Sequence, residues 1–329
     1  MSQVFENRME LALPNTMSIV REPLGRVENM LVGQLQSDVP IIDEMVRCGG
    51  ATGGKRFRPI LLLLAAQANG GIEDHHIMLA TAVEMIHAAT LVHDDIIDSA
   101  ATRRHKTTIN NRWGNQGAVL FGDYLFTQAF YLASLTGSAE ACQVIGAATN
   151  RVCQGELQQS DAAGNFETTV DDYYQIISRK TAALCGCATQ LGAFSATDSK
   201  QVNQWYEVGM KLGLAFQIID DVLDYTGDPA TCGKTLGTDL ETAKPTLPIL
   251  LALHGSSEAL RMDWIDRLGQ GNAEVEDVLV WLKETGAISE SLRRGKLLVK
   301  EAVAFTDQQA PNVSGAFQEM GQFLIARSH

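Results

Sequence analysis

Apolar residues recur at helical spacing along almost the whole of this chain, and little interrupts them: 8 prolines stand among 329 residues. No run alternates apolar and polar residues over the length a half-buried strand needs. A chain with this pattern can bury its apolar faces only by packing helix on helix. Pro59 is placed to open one helix and Gly70-Gly71 to end it, around the run "ILLLLAAQA". A second helix is expected from about Asp74 to Asp98. Further long helices are expected over roughly 115–135, 138–160, 168–195 and 199–225, with shorter ones between about 243 and 327. No long polar linker separates them, so the expectation is one all-α domain over residues 1–329.

Composition narrows the function. Apolar residues at 45% and charged residues at 20% describe a globular chain rather than a disordered one. A formal charge of −13 argues against nucleic acid as a partner, because phosphate backbones are met by basic faces. No apolar run approaches the ~20 residues that span a bilayer. The start, "MSQVFENRMELALPNT", lacks the layout of a secretion signal. The six cysteines show no zinc spacing and are expected to be free thiols in a reducing, cytoplasmic setting.

Two stretches invite a phosphate. In "GGATGGKRFRP", residues 49 to 59, Gly49, Gly54 and Lys55 fit the spacing of a nucleotide P-loop, but Arg56 stands where a metal-binding Ser or Thr belongs. The residues ahead of it, "PIIDEMVRC", have helical rather than strand periodicity, which removes the P-loop context. Lys55, Arg56 and Arg58 still place three cations beside a flexible Gly-Gly, a good anion site. The second stretch is "SAATRRHKTTINNRWGN", residues 99 to 115, expected to be a loop. It carries Arg103, Arg104, Lys106 and Arg112, with no acid between Asp98 and Asp123. A second loop is expected over Thr226–Thr242, rich in glycine and carrying Lys234; loops this long are usually functional or disordered, and this one is the candidate lid.

The strongest signal is acidic. "LVHDDIIDS" carries Asp94, Asp95 and Asp98, and "FQIIDDVLDY" carries Asp220, Asp221 and Asp224. Both are D-D-x-x-D at the C-terminal end of a mostly apolar helix. Residues four apart share a face, so Asp94 lies beside Asp98 and Asp220 beside Asp224. Acids there oppose the helix dipole by roughly 0.3–1 kcal/mol each, and like charges one turn apart repel. A hard divalent cation relieves both, and Mg²⁺ above all takes one or two carboxylates plus phosphate oxygens. One such motif alone could equally be a solvated helix end; two with the same spacing and context are not. His87 precedes Asp94 by two helical turns and Gln217 precedes Asp220 by one, so each lies on its motif's face.

With these motifs in place the chain closely resembles the trans-isoprenyl diphosphate synthases, in particular their bacterial long-chain polyprenyl branch. The ordered motifs are "GGKRFRP", "EMIHAATLVHDDIIDSAATRR", "GDYLFTQAF", "GELQQ", "SRKTA", "FQIIDDVLDY" and "GKTLGTDLETAKPTLP", and they cover the chain from about Gly53 onward. The resemblance implies the isoprenoid synthase fold, a single helical bundle around a central cavity. It implies that Lys55, Arg58, His87 and Arg104 hold isopentenyl diphosphate. Arg103, Lys180, Thr181, Gln217, Lys234 and Lys244 would hold an allylic diphosphate. Asp94, Asp95, Asp98, Asp220, Asp221 and Asp224 would hold three Mg²⁺ ions, with Asp94, Asp98 and Asp220 as direct ligands. Asp94, Asp98, Asp220, Lys180 and Arg103 would carry the catalysis.

The implied reaction adds isopentenyl diphosphate head-to-tail to an allylic diphosphate such as farnesyl diphosphate. Ala89 and Thr90, small residues in the turn above Asp94, imply a long C35–C45 product, with octaprenyl the central expectation. Phe126 or Phe130 would form the tunnel floor, though core packing explains their spacing equally well. A homodimer, and contact with a membrane surface for product release, are further implications. A short-chain synthase or a non-catalytic subunit of a heteromeric synthase is the alternative. Intact aspartate motifs argue against the latter, and the Gly53–Arg58 anion site argues against head-to-head synthases and terpene cyclases.

Overall fold

The computed structural model describes residues 15–48, 54–103, 106–195, 198–227 and 237–326. The chain divides into two compact units. The first is built from Met1–Ile145, Cys187–Tyr206 and Thr306–Met320, the second from Gly146–Gly186, Glu207–Phe305 and Gly321–His329.

In the first unit a short 3-10 turn, Asn15–Val20, leads into α1 (Arg21–Gln34), α2 (Pro40–Cys48), α3 (Phe57–Ala68) and α4 (Asp74–Ile97). The helical reading of "PIIDEMVRC" corresponds to α2. In α3 every residue from Arg58 to Ala66 is buried, as a helix apolar on all sides must be. At the start of α4 the Glu73 side chain accepts from the third helical backbone N–H, while the Glu73 N–H donates to Nδ1 of His76 at 3.0 Å. This reciprocal cap satisfies two of the donors a helix start leaves open.

The expected loop after α4 is shorter than its sequence suggests. Thr102–Arg103 (β1) pairs antiparallel with Lys106–Thr107 (β2), and α5 (Ile109–Ser134) starts directly afterwards. Gly114 interrupts the first turns of α5 with φ 76° and ψ 166°. That break is why the sequence reads as loop as far as residue 115.

The second unit holds most of α6 (Ala139–Ala162), then α7 (Val170–Ile177), a π-helical turn (Ser178–Ala182) and the start of α8 (Ala183–Gly192). The single helix expected over 168–195 is therefore broken by the π turn and ends in a 3-10 turn, Ala193–Ser195. Two glycines admit the π turn: a β-carbon on Gly155 would lie 2.3 Å from the Lys180 nitrogen, and one on Gly213 would lie 2.6 Å from the Ala182 α-carbon. In chain order there follow α9 (Ser199–Thr226), α10 (Thr238–Glu241), α11 (Leu247–Gly255), α12 (Glu258–Gly269), α13 (Val275–Glu284), α14 (Ala287–Gln309) and α15 (Pro311–Ala326), of which the start of α9, the end of α14 and most of α15 belong to the first unit. The last two are longer than expected. The charged first half of α14, "SESLRRGK", dims its apolar periodicity, although Val299 and Ala302 further along are buried. Trp264 and Trp281 stack at 4.3 Å in the core formed by α11 to α13.

None of the five described cysteines forms a disulfide. Among the described residues no helix is long and apolar enough to cross a membrane.

Candidate active site

The first aspartate motif occupies the C-terminal end of α4. Asp94 and Asp98 are half-buried and Asp95 is buried. Nε of Arg103 donates to Oδ1 of Asp95 at 2.7 Å, and Nδ2 of Asn110 donates to the Asp95 carbonyl at 3.1 Å. Burial pushes the Asp95 carboxyl above its ordinary range, and the Arg103 charge opposes that push. The small hairpin thus folds its arginine back onto the middle acid of the motif. Arg104 lies outside the described residues.

Upstream on α4, His87 is half-buried, and its carbonyl accepts the Thr90 hydroxyl at 2.8 Å. Ala89 is completely buried. Phe126 of α5 packs against the His93 ring at 5.8 Å. Since α5 runs back along α4, Phe126 is level with the motif, and Phe130 lies one turn further from it.

The "GGKRFRP" stretch does not present three cations. Lys55 is exposed, but Arg56 is turned inward and only 5% exposed. Its Nη1 donates to Glu84 Oε1 at 2.8 Å, and its Nε and Nη2 donate to the two carboxylate oxygens of Glu28. Its charge is spent inside the fold. Arg58, two residues on, is 9% exposed, and its Nε has no hydrogen-bond partner. A buried guanidinium N–H left unsatisfied is costly, and an anion would satisfy it. The left-handed turn and Arg58 both sit at the N-terminal end of α3, where the helix dipole favours negative charge. Gly49 to Gly53 lie outside the described residues.

In the second unit, α9 carries the other motif. Asp220 and Asp224 are half-buried and Asp221 is buried. Asp221 accepts from the Tyr173 hydroxyl at 2.6 Å and from Nε2 of Gln217 at 2.7 Å. Burial pushes this carboxyl, and the Tyr173 phenol, well above their ordinary values. Gln217 in turn accepts the Thr181 hydroxyl at 2.8 Å. Gln217 therefore reaches the second aspartate of the motif by a side-chain bond to the residue four positions on. Asp224 accepts the backbone N–H of Asp239 at 2.9 Å and the Thr238 hydroxyl at 3.3 Å, which fastens α10 to α9.

Lys180 sits in the π turn. Its Nζ lies 2.5 Å from Glu156 Oε2 and donates to Gln159 Oε1 at 2.6 Å. Lys244 lies 3.9 Å from Asp239. Lys234, with residues 228–236 of the Thr226–Thr242 loop, is outside the described residues.

Several partners escaped the sequence reading. Glu156 and Gln159 stand in the motif "GELQQ", which had been noted without a role for any of its residues. Tyr173, Glu28 and Glu84 gave no signal, because each meets its partner only through the tertiary fold.

The carboxylates of each motif, taken by itself, suit magnesium, which binds sparingly. Among the described residues no group of three His, Cys, Asp or Glu side chains forms a ready-made metal cage. Mg²⁺ needs only one or two carboxylates together with substrate oxygens and water. The half-buried Asp94, Asp98 and Asp220 are all-oxygen donors of that type.

An all-α fold with two aspartate-rich helices and buried basic residues defines a class: prenyltransferases of the isoprenoid synthase fold. Residues 39–284 match the family described as Polyprenyl synthetase. The chain is 37% identical to the octaprenyl diphosphate synthase of Haemophilus influenzae over 85% of its own length and 86% of that protein. It is 35% identical to the Escherichia coli octaprenyl diphosphate synthase, covering 87% and 90% of the two chains. The polyprenyl synthase of Caulobacter crescentus, solved with calcium and isoprenyl diphosphate, superposes with a TM-score of 0.89 at 33% identity, over 95% of this chain and 97% of that one. The chain belongs to the polyprenyl synthetase family.

Proposed function

We propose that this protein makes long-chain all-trans polyprenyl diphosphates, by adding isopentenyl diphosphate head-to-tail to an allylic diphosphate such as farnesyl diphosphate. The observation that carries the reading is the pair of D-D-x-x-D helix ends, each with its second aspartate buried and held by protein donors. Asp94, Asp98 and Asp220, half-buried at the same helix ends, are the carboxylates we assign to metal. The octaprenyl synthases among its relatives support the long-chain assignment.

Magnesium, three ions with the allylic substrate bound, would supply Lewis acidity to the allylic diphosphate as its C–O bond breaks. Arg103, Lys180 and Lys244 stabilise the negative charge that gathers on the departing diphosphate. Thr181 and Gln217 orient it. Lys55, Arg58, His87 and Arg104 hold the isopentenyl diphosphate so that its double bond faces the allylic carbon. That π pair forms the new C–C bond, and a proton leaves the adjacent carbon for the released diphosphate. The product is five carbons longer and re-enters as the allylic substrate. Water must be excluded from the cation.

Ala89 and Thr90 leave room for a product of C35–C45. We also infer a homodimer, supported by Leu120, Tyr131 and Leu135, large apolar side chains left more than half exposed along α5. Release of so apolar a product at a membrane surface, and its use as a quinone side chain, follow as proposals from the same chemistry.

The test is a product assay with purified protein, Mg²⁺, farnesyl diphosphate and labelled isopentenyl diphosphate, the dephosphorylated products being sized by chromatography. A ladder ending near C40 is expected. A product stopping at C20, or at C15 to C20 from a shorter primer, overturns the long-chain reading, and no elongation overturns the activity.

A further inference from the structure

Arg56 is the one basic residue of "GGKRFRP" that the proposed reaction leaves without a part, and it is the most elaborately held. It has φ 49° and ψ 37° at the start of α3, a left-handed conformation that residues with side chains rarely adopt. Its guanidinium is gripped from two sides, by Glu28 of α1 and by Glu84 of α4. Glu28 is 17% exposed and Glu84 7% exposed. Three ionised groups taken so far out of water are expensive unless their geometry is good, and a merely apolar cluster would serve stability as well. The ion cluster therefore holds something in place.

Its neighbours say what that is. Lys55 and Arg58 flank Arg56 in the chain. The left-handed residue turns the Arg56 side chain inward, with Lys55 exposed on one side and α3 beginning on the other. Glu84 stands three residues before His87 on α4, one turn away on the same face. One buried guanidinium thus ties the turn bearing Lys55 and Arg58 to the helix bearing His87, and Glu28 ties both to α1.

We propose that Arg56, Glu28 and Glu84 form a positioning clamp for the isopentenyl diphosphate subsite, acting through Lys55, Arg58 and His87 without touching the substrate. The inference rests on the reading of those three as the isopentenyl diphosphate residues. It also assigns a role to α1, a segment whose sequence carries no motif of its own.

The clamp and its rival differ in sign. If Arg56 bound the diphosphate directly, removing a competing carboxylate would release it and tighten binding. If Arg56 is a clamp, the same change loosens the subsite. The variants are Glu84→Gln and Glu28→Gln, nearly isosteric, assayed with each substrate varied while the other saturates. The expected result is a KM for isopentenyl diphosphate raised about tenfold, with kcat and the allylic KM within about twofold of the parent. A triple variant, Arg56→Met with Glu28→Gln and Glu84→Gln, removes all three buried charges together. It should restore the melting temperature lost in the single variants while the isopentenyl KM stays raised.

An unchanged or lowered isopentenyl KM in the Gln variants overturns the clamp. So does an equal loss in kcat and both KM values, or recovery of the isopentenyl KM along with the melting temperature. Arg58→Met serves as the control. A raised isopentenyl KM there beside unaffected clamp variants removes the clamp alone. An unaffected Arg58→Met removes the subsite reading and the clamp with it.

Discussion

The Tyr173 hydroxyl donates a 2.6 Å hydrogen bond to Asp221 across 48 residues of chain, and both side chains are buried. The bond links α7 to the helix bearing the second aspartate motif. With Gln217 donating to the other carboxylate oxygen at 2.7 Å, it holds Asp221 inward and so sets how Asp220, the preceding residue, is presented.

Tyr173→Phe removes that donor and leaves a buried carboxylate short of a partner. Such a change costs about 1–3 kcal/mol. The expected outcome is a lower urea midpoint with an unchanged denaturant slope, measured by circular dichroism. An unshifted midpoint would show that Asp221 is satisfied without the tyrosine.

Asp94→Ala and Asp220→Ala should each lower turnover at least ~100-fold, the size of losing one major transition-state stabiliser. Both side chains are only half-buried, so the folded state should survive, and a cooperative melting transition should accompany the loss. Chelating Mg²⁺ should abolish turnover in the parent and restoring it should bring turnover back. Near-parental rates in either variant would remove that residue from the metal site.

Ala89 is wholly enclosed, so a phenyl ring there must take space from whatever adjoins α4. Ala89→Phe should shorten the product to mainly C15–C20, read from the chromatographic ladder. Chain lengths matching the parent's would place the growing product elsewhere.

His76 provides a pH-dependent contribution to stability away from the chemistry. A backbone N–H can only donate, so the bond from Glu73 requires a lone pair on Nδ1 and puts the proton on Nε2. Burial, and after it the neighbouring His75, lowers the pKa of His76 to about 4 from an ordinary 6.5. Between those values the unfolded chain binds the proton and the folded chain does not. Stability is therefore full above about pH 6.5 and is lost as pH falls toward 4, by on the order of 3 kcal/mol at most. His76→Gln keeps an acceptor for the cap and removes the titration. The stability of this variant should change less between pH 6.5 and 4 than the parent's, as measured by urea unfolding across that range; parallel curves would locate the acid sensitivity elsewhere.

Local pattern carried far in this chain. The boundaries of α4 and α9 fall within a residue or two of those expected, because long apolar periodicity and clear end signals act within one helix. The pairing of D-D-x-x-D motifs, their place at helix ends and the family were all legible for the same reason: each is a matter of spacing along the chain. Where pattern failed, two segments had to be seen together. The π turn at Ser178–Ala182 accompanies a backbone approach that Gly155 and Gly213 permit from other helices. Nothing near residue 180 announces it. The length of α14 was obscured by its charged first half, which only burial of its other face makes sense of.

The site divides along the same line. By itself the sequence determined which residue types are present, how far apart they stand on each helix, and therefore that the chain could hold metal and diphosphate. Tertiary structure decided which of those charges face inward. Arg56 looked like a third phosphate ligand until Glu28 and Glu84 were seen to take it, and Asp95 and Asp221 looked equivalent to their neighbours until Arg103, Gln217 and Tyr173 were seen to hold them. The reason is physical. A charge's role depends on its desolvation and its partners, and partners 28 or 48 residues away are brought within hydrogen-bonding distance only by the packing of helices.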